Sequence, residues 1–296
     1  MLDLRFLVFV TAHDPLARFD VLLKTLRGYE EIPGVKDVFI YVDADHESDV
    51  ETLDELLKTN VTFNSLEIVV ASPSWEGFSL TWAHKGLLRE AVRNKYYDFY
   101  VYTENDMYFS SENFIYWFLY KDRLKKLNLE PGFCRYEECG SKLVPFDNHR
   151  IWQLNGETKE VWGDRPYKVQ SYLTPLDDWF VGFVSLGNPY MGMMILDQEM
   201  AERYVNSQSA DPLRSFELTQ FRCWPLADRS SMGLAFENLL PGQEHRRVVP
   251  VIASEGKIQI APCGLVEHCD TKYSKELQKK AGDVIDISEM FGYASL

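Results

Sequence analysis

Basic residues are scarce in this 296-residue chain: 31 Lys and Arg stand against 45 Asp and Glu, a formal charge of −14. No dense Lys/Arg cluster interrupts that balance. This argues against a nucleic-acid partner, because phosphate backbones demand a basic footprint. Long apolar runs are also lacking. No stretch reaches the ~20 residues of a membrane helix, so no membrane span is expected. The opening MLDLRFLVFVTAHD has a short apolar run and no small-residue cleavage site, and reads as a first strand, not a signal peptide. Cysteine is sparse and odd in number, with Cys134, Cys139, Cys223, Cys263 and Cys269. That usage points to reduced thiols and a cytoplasmic setting, an expectation that an excised soluble domain of a longer protein would void. Glycine is missing from TAHDPLARF (Thr11–Phe19), where a phosphate-cradling loop would need it. Apolar residues, by contrast, make up 46% and aromatics 14%, enough for a folded core and against a disordered chain.

The first half alternates. Leu4–Thr11 is an apolar, strand-like run, and Leu16, Phe19, Leu22, Leu23 and Leu26 follow at helical spacing. A second strand over Val38–Val42 ends in Asp43-Ala44-Asp45. Ser48 and Glu51 then have the spacing of a capping box for a helix through Lys58. Leu66–Ala71 predicts a third strand and Thr81–Lys95 a helix. Phe99–Thr103 predicts a fourth strand, and a helix over Glu112–Leu127 is capped by Ser110 or Ser111. This alternation predicts an α/β fold, a Rossmann-like, mostly parallel sheet flanked by helices, in which ligands bind at the carboxyl ends of the strands. Beyond Pro131 the pattern is less regular. Pro131–Arg165 reads as loops or an irregular hairpin, and Asn188–Val205 as a strand and a helix. A helix is expected over Ser230–Leu240, and strands over Val248–Ala253 and Lys257–Ala261. No linker is evident, so residues 1–296 are taken as one domain, with a regular half to about 110 and a less regular half from about 111.

Three polar clusters fall at strand ends: Ala12-His13-Asp14, Asp43-Ala44-Asp45 and Glu104-Asn105-Asp106. The last is the most demanding, because two acids one residue apart repel by about 1–4 kcal/mol at ~4 Å near water or a protein surface. A divalent cation carrying phosphate is one partner that would offset this, since Mg²⁺ takes one or two carboxylates and completes its shell with phosphate and water. The bland alternative is that the acids end a strand and face solvent.

The order of elements, with acid-x-acid after FYVYTENDM, resembles a GT-A glycosyltransferase with a Glu-x-Asp form of the DxD motif. That resemblance implies Mn²⁺ or Mg²⁺ held by Asp106 and Glu104, with Asn105 between them, against the diphosphate of a UDP- or GDP-sugar. It implies His268, in GLVEHCDTKYS, as a further ligand. Thr11, His13 and Asp43 would meet the nucleoside and Lys85 a phosphate or sugar, with Trp82 as a wall or a core residue. The implied acceptor is a hydroxyl on a glycan or glycoconjugate. For an inverting transfer the base would be Asp228, in CWPLADRSSMGLAFENL, with Asp177 or Asp178 as the runner-up, and Trp152, Trp162, Trp179 and Tyr190 would offer faces to sugar rings. Two other enzyme-independent or related readings stay open: a sugar-phosphate nucleotidyltransferase, and a carbohydrate-binding module without turnover. Zinc on Cys134, Cys139, Cys263, His268 and Cys269 is a further possibility with spacings unlike those of zinc knuckles.

Overall fold

The computed structural model describes residues 4–145, 152–154, 157–159, 170–172, 179–219, 224–254, 257–275 and 286–290. The chain forms two compact units: Met1–Ser111 with Gly192–Asn238, and Glu112–Met191 with Leu239–Leu296. The first unit runs to residue 111 and takes in residues 192–238 from later in the chain.

The first unit carries the alternation. Strands β1 (Arg5–Ala12), β2 (Val35–Val42), β3 (Ser65–Val70) and β4 (Phe99–Glu104) are parallel, in the order β3-β2-β1-β4, and a strand over Met193–Asp197 runs antiparallel beside β4. Helices α1 (Phe19–Glu31), α2 (Val50–Asn60) and α3 (Lys85–Asn94) make the crossovers. Successive side chains of a strand point to opposite faces, and β1 is buried on both. Leu7 and Phe9 join Leu88, Ala91 and Val92 of α3 with Tyr100 and Tyr102 of β4. Phe6, Val8 and Val10, also buried, point the other way. The strand order turns back between β1 and β4, and this switch point is where an open α/β sheet leaves a crevice at its carboxyl edge.

Local details differ from expectation where caps and turns decide them. Ser48 and Glu51 form no capping box. A 3₁₀ segment over Ala44–Asp49 comes first, α2 starts at Val50, and the Ser48 hydroxyl donates to Asp49. The expected Thr81–Lys95 helix is a 3₁₀ turn over Gly77–Trp82 followed by α3. After α5 (Gln198–Val205) and α6 (Arg214–Thr219), the helix expected over Ser230–Leu240 is instead α7, Leu226–Ser231. Pro225, at the position before it, supplies a fixed φ and needs no donor there. Positive φ at Gly233 and Asn238 then interrupts continuation.

The second unit begins within α4 (Ser111–Lys125). Its strands Gln170–Tyr172, Gly182–Ser185, Arg247–Ser254 and Lys257–Ile260 form an antiparallel sheet. Leu265–His268 pairs in parallel with Cys134–Cys139, which turns back antiparallel onto Lys142–Pro145. Val184, Leu186, Val249, Val251, Ile258 and Ile260 are the center of its core. Among the described residues no helix is long and apolar enough to cross a membrane.

Candidate active site at the carboxyl edge of the sheet

Three elements hold the Glu104-Asn105-Asp106 turn in place. The Glu104 amide donates to the Gly192 carbonyl (2.9 Å) and the Asn105 amide to the Thr11 carbonyl of β1 (3.0 Å). Thr25 of α1 donates its hydroxyl to the Asn105 carbonyl at 2.9 Å. Two close approaches reinforce this. A Cβ on Gly28 of α1 would come within 2.7 Å of the Phe109 carbonyl oxygen. Gly192 has φ +66°, and a Cβ there would lie 2.6 Å from Met107 Cγ. The turn is fixed by backbone pairing, with Glu104 half-buried and Asn105 and Asp106 buried.

A buried carboxylate needs a countercharge, and Asp106 has one that the sequence did not disclose. Arg18, at the end of the β1–α1 loop, donates from Nη2 to Asp106 Oδ2 at 3.1 Å. Asp14 begins that loop in the left-handed region, φ 48°, which Asp tolerates better than most residues, and its carbonyl accepts from the Arg18 amide at 3.2 Å. The same loop reaches the other way as well. His13 Nδ1 lies 3.0 Å from Asp43 Oδ2 at the end of β2. One loop thus places a basic group on the acid at the end of each neighbouring strand. Arg18 sits in TAHDPLARF, but a lone Arg in a loop carries no pattern that assigns it a partner 88 residues away.

The remaining expected residues fall as follows. Thr11 is buried, its hydroxyl 3.3 Å from the Tyr102 hydroxyl. Lys85 does not offer its ammonium at the edge, which corrects the expected phosphate or sugar contact. Its Nζ donates to the Ser230 carbonyl at 2.6 Å and lies over the rings of Tyr204 (4.8 Å), Trp82 (5.4 Å) and Tyr102 (5.4 Å). Burial holds the Lys85 pKa well below the usual lysine value. The physical reason is that the apolar stem enters the core and carries the charge into a cage of π faces. Trp82 is a core residue whose indole donates to the Leu226 carbonyl at 2.8 Å. Beside it, His84 stacks on Tyr102, centroids 4.2 Å apart, and burial keeps its pKa well below the ordinary histidine value.

These contacts tie α7 to β4, because Lys85 bridges the Ser230 carbonyl and the Tyr102 ring. Asp228 is in the first turn of α7, half-buried, two residues before Ser230. It therefore starts inside the helix and not ahead of it, as the sequence had implied. Asp177, Asp178 and Trp162 lie outside the described residues, as does the Trp152 side chain. His268 belongs to the second unit, buried, with Nδ1 2.7 Å from Glu137 Oε1; Glu137 Oε2 accepts from the Ser274 amide at 2.7 Å. Tyr190 is buried with Arg135 stacked on it, so it does not present a free face, whereas Trp179 is 79% exposed. The cysteines and His268 do not gather as zinc ligands: among the described residues the side chains that converge as a potential metal group are His13, Asp43 and His46.

The donor set at Glu104, Asn105 and Asp106 suits a hard cation. It offers carboxylates with an amide, and a phosphate-bearing ligand would complete the shell of Mg²⁺ or Mn²⁺. Asp106 shares its charge with Arg18, so an ion and a guanidinium would compete for one carboxylate until an anion arrives to engage the arginine.

No protein-family model matches the chain, nor does any curated protein. Among solved structures the chain is similar to 4-diphosphocytidyl-2C-methyl-D-erythritol synthase from Anaerococcus prevotii, at 14% identity and a TM-score of 0.31, over 69% of this chain and 77% of that one. So slight a likeness carries no argument about activity.

Proposed function

We propose that this chain is a transferase acting on a nucleotide-linked diphosphate donor, and that the transferred group is a sugar delivered to a hydroxyl of a glycan or glycoconjugate. The observation that carries this reading is the pairing of Arg18 with Asp106 across the carboxyl ends of β1 and β4, at the switch point of the sheet, with Glu104 two residues away. As the sugar–oxygen bond breaks, the leaving diphosphate gains charge, and fixed cationic groups at that spot stabilise it. Arg18 would bind a phosphate oxygen. Glu104 and Asp106 would hold Mn²⁺ or Mg²⁺, which when bound supplies further charge neutralisation on the diphosphate. Asn105 orients the turn. Asp228 would accept the proton of the acceptor hydroxyl in an inverting transfer, and the bridge from α7 to β4 through Lys85 supports its inclusion.

A second reading, nucleotidyl transfer to a sugar phosphate, is favored by one observation: a basic residue, Arg18, stands in the loop after the first strand, where such a site needs a contact to a triphosphate. The two readings release different products. The purified chain is incubated with UDP- and GDP-sugars, and separately with nucleoside triphosphates and sugar 1-phosphates, each with and without Mn²⁺. Nucleoside diphosphate released from one sugar donor, metal-dependent and abolished in Asp106→Asn, is the expected result. Pyrophosphate release in the second set, lost in the same variant, would replace sugar transfer with nucleotidyl transfer. If no nucleotide raises the melting temperature and neither product forms, the transferase reading is wrong.

A further inference from the structure

The side of β1 away from β4 carries a second cluster with a different donor chemistry. His13, Asp43 and His46 bring one potential ligand atom each to within 4.8 Å of one another. His13 Nδ1 stands 3.0 Å from Asp43 Oδ2, and the two imidazoles meet edge to face, centroids 5.9 Å apart at 87°. Behind them, His46 Nδ1 is 3.0 Å from Asp49 Oδ2. Two independent features say that the cluster is incomplete as it stands. Asp43 is only 5% exposed, yet its Oδ1 has no hydrogen-bond partner among the described residues. A buried carboxylate oxygen without a donor costs about 1–3 kcal/mol or more, so natural structures rarely leave one. The second feature is that His13 is held against this carboxylate although its side chain is 69% exposed. An exposed ring that gains no burial is fixed at a buried acid.

We propose that His13, Asp43 and His46 form a binding site for a divalent first-row transition ion, distinct from the carboxylate site at Glu104 and Asp106. Two imidazoles and one carboxylate suit Zn²⁺, Co²⁺ or Fe²⁺ and disfavor Mg²⁺ and Ca²⁺, which take oxygen ligands. Such ions hold nitrogen and oxygen ligands at about 2.0–2.2 Å. Donors around one ion are therefore separated by roughly 3–4.4 Å, and a group spanning 4.8 Å closes onto an ion with a small rotation of the exposed His13 ring. Asp49 acts on His46 as an orienting carboxylate, the arrangement that fixes ring and tautomer in ligating histidines. The ion tethers the β1–α1 loop to the 3₁₀ segment after β2. Because Arg18 lies on that same loop, the tether also steadies the residue that meets Asp106. This assignment takes His13 and Asp43 out of the nucleoside contacts that the sequence had implied, and it does not rest on the transferase reading.

The test is direct binding of Zn²⁺, followed by calorimetry, and of Co²⁺, followed by its visible absorption bands, to the full chain with millimolar Mg²⁺ present to occupy oxygen-only sites. One equivalent is expected to bind to the wild type and to Asp106→Asn. Binding should be at least about 10-fold weaker in His46→Ala and in His13→Ala. Circular dichroism of the metal-free variants identifies any that misfold. For that case, Zn²⁺ should also protect the exposed His13 of the wild type from diethylpyrocarbonate. The proposal is overturned if the wild type binds no Zn²⁺ or Co²⁺, if either histidine variant that folds binds as tightly as the wild type, or if binding is lost only in Asp106→Asn.

Discussion

Arg18 and Lys85 show how differently one cationic residue can be used at this edge. Arg18 is only partly buried and pairs with Asp106, leaving it in reach of an anion under the proposed function, whereas Lys85 has its Nζ buried among Trp82, Tyr102 and Tyr204. Arg18→Met is accordingly expected to tighten Mn²⁺ binding to the free protein by a few-fold, because the competing cation is gone, and to weaken nucleoside-diphosphate binding about 10-fold or more. Manganese electron paramagnetic resonance and nucleotide titration read the two effects, and equal movement of both in the same direction would refute the competition. For Lys85 the sign follows from linkage. Its folded-state pKa is lowered from 10.5. Below the folded value the lysine is charged in both states and the burial penalty is complete. Between the folded value and about 10.5 the unfolded chain binds the extra proton, so stability rises with pH through that window. The melting-temperature difference, Lys85→Met minus wild type, should therefore become less positive from neutral pH to about pH 10. A difference that does not change with pH would contradict the buried charge.

At the scale of elements, the acid turn is positioned by its neighbors. β1 accepts from the Asn105 amide, α1 donates through Thr25, and the Met193–Asp197 segment is entered through Gly192, whose carbonyl takes the Glu104 amide. The approach of Gly28 is against backbone, the Phe109 carbonyl. Gly28→Ala would insert a methyl group against a carbonyl that has little room to retreat. It is expected to cost about 1–3 kcal/mol in urea denaturation, and to lower Mn²⁺ affinity, although Gly28 touches neither acid. A fully stable Gly28→Ala with normal metal binding would show that α1 and the turn move independently. Thr25→Val, by removing the donor to Asn105, should cost about 1–2 kcal/mol by the same measurement.

Across the whole molecule, burial of aromatic hydroxyls sets the alkaline limit. Burial pushes the Tyr41 and Tyr100 pKa values up to about 12, and also raises those of Tyr29, Tyr97, Tyr102 and Tyr116. The unfolded chain ionises these groups near 10 while the folded chain keeps them protonated. Their contribution to stability is complete below about pH 10 and is lost as pH rises above it. Absorbance at 295 nm should show one set of tyrosines titrating near pH 10 and another appearing only with loss of the near-ultraviolet dichroism. If all tyrosines titrate together before unfolding, the burial is wrong. The charge of −14 acts at this scale too. It favors solubility and disfavors anionic polymers, so any anionic substrate needs local positive charge, which Arg18 supplies at the switch point.

What the sequence determined by itself was periodic or punctuated. Strand–helix alternation, the position of the β4 acids and the carboxyl-edge location of the polar clusters follow from residue order, since side-chain periods of 2 and 3.6 are local properties. Tertiary structure alone decided which groups meet. Arg18 with Asp106, His13 with Asp43, Lys85 with Ser230 and His268 with Glu137 are pairs 30 to 145 residues apart, and no local pattern encodes them. The same holds for burial. Lys85 and Tyr190 looked like surface contacts until neighboring elements closed over them, because whether a polar side chain faces solvent or core depends on what the fold places opposite it.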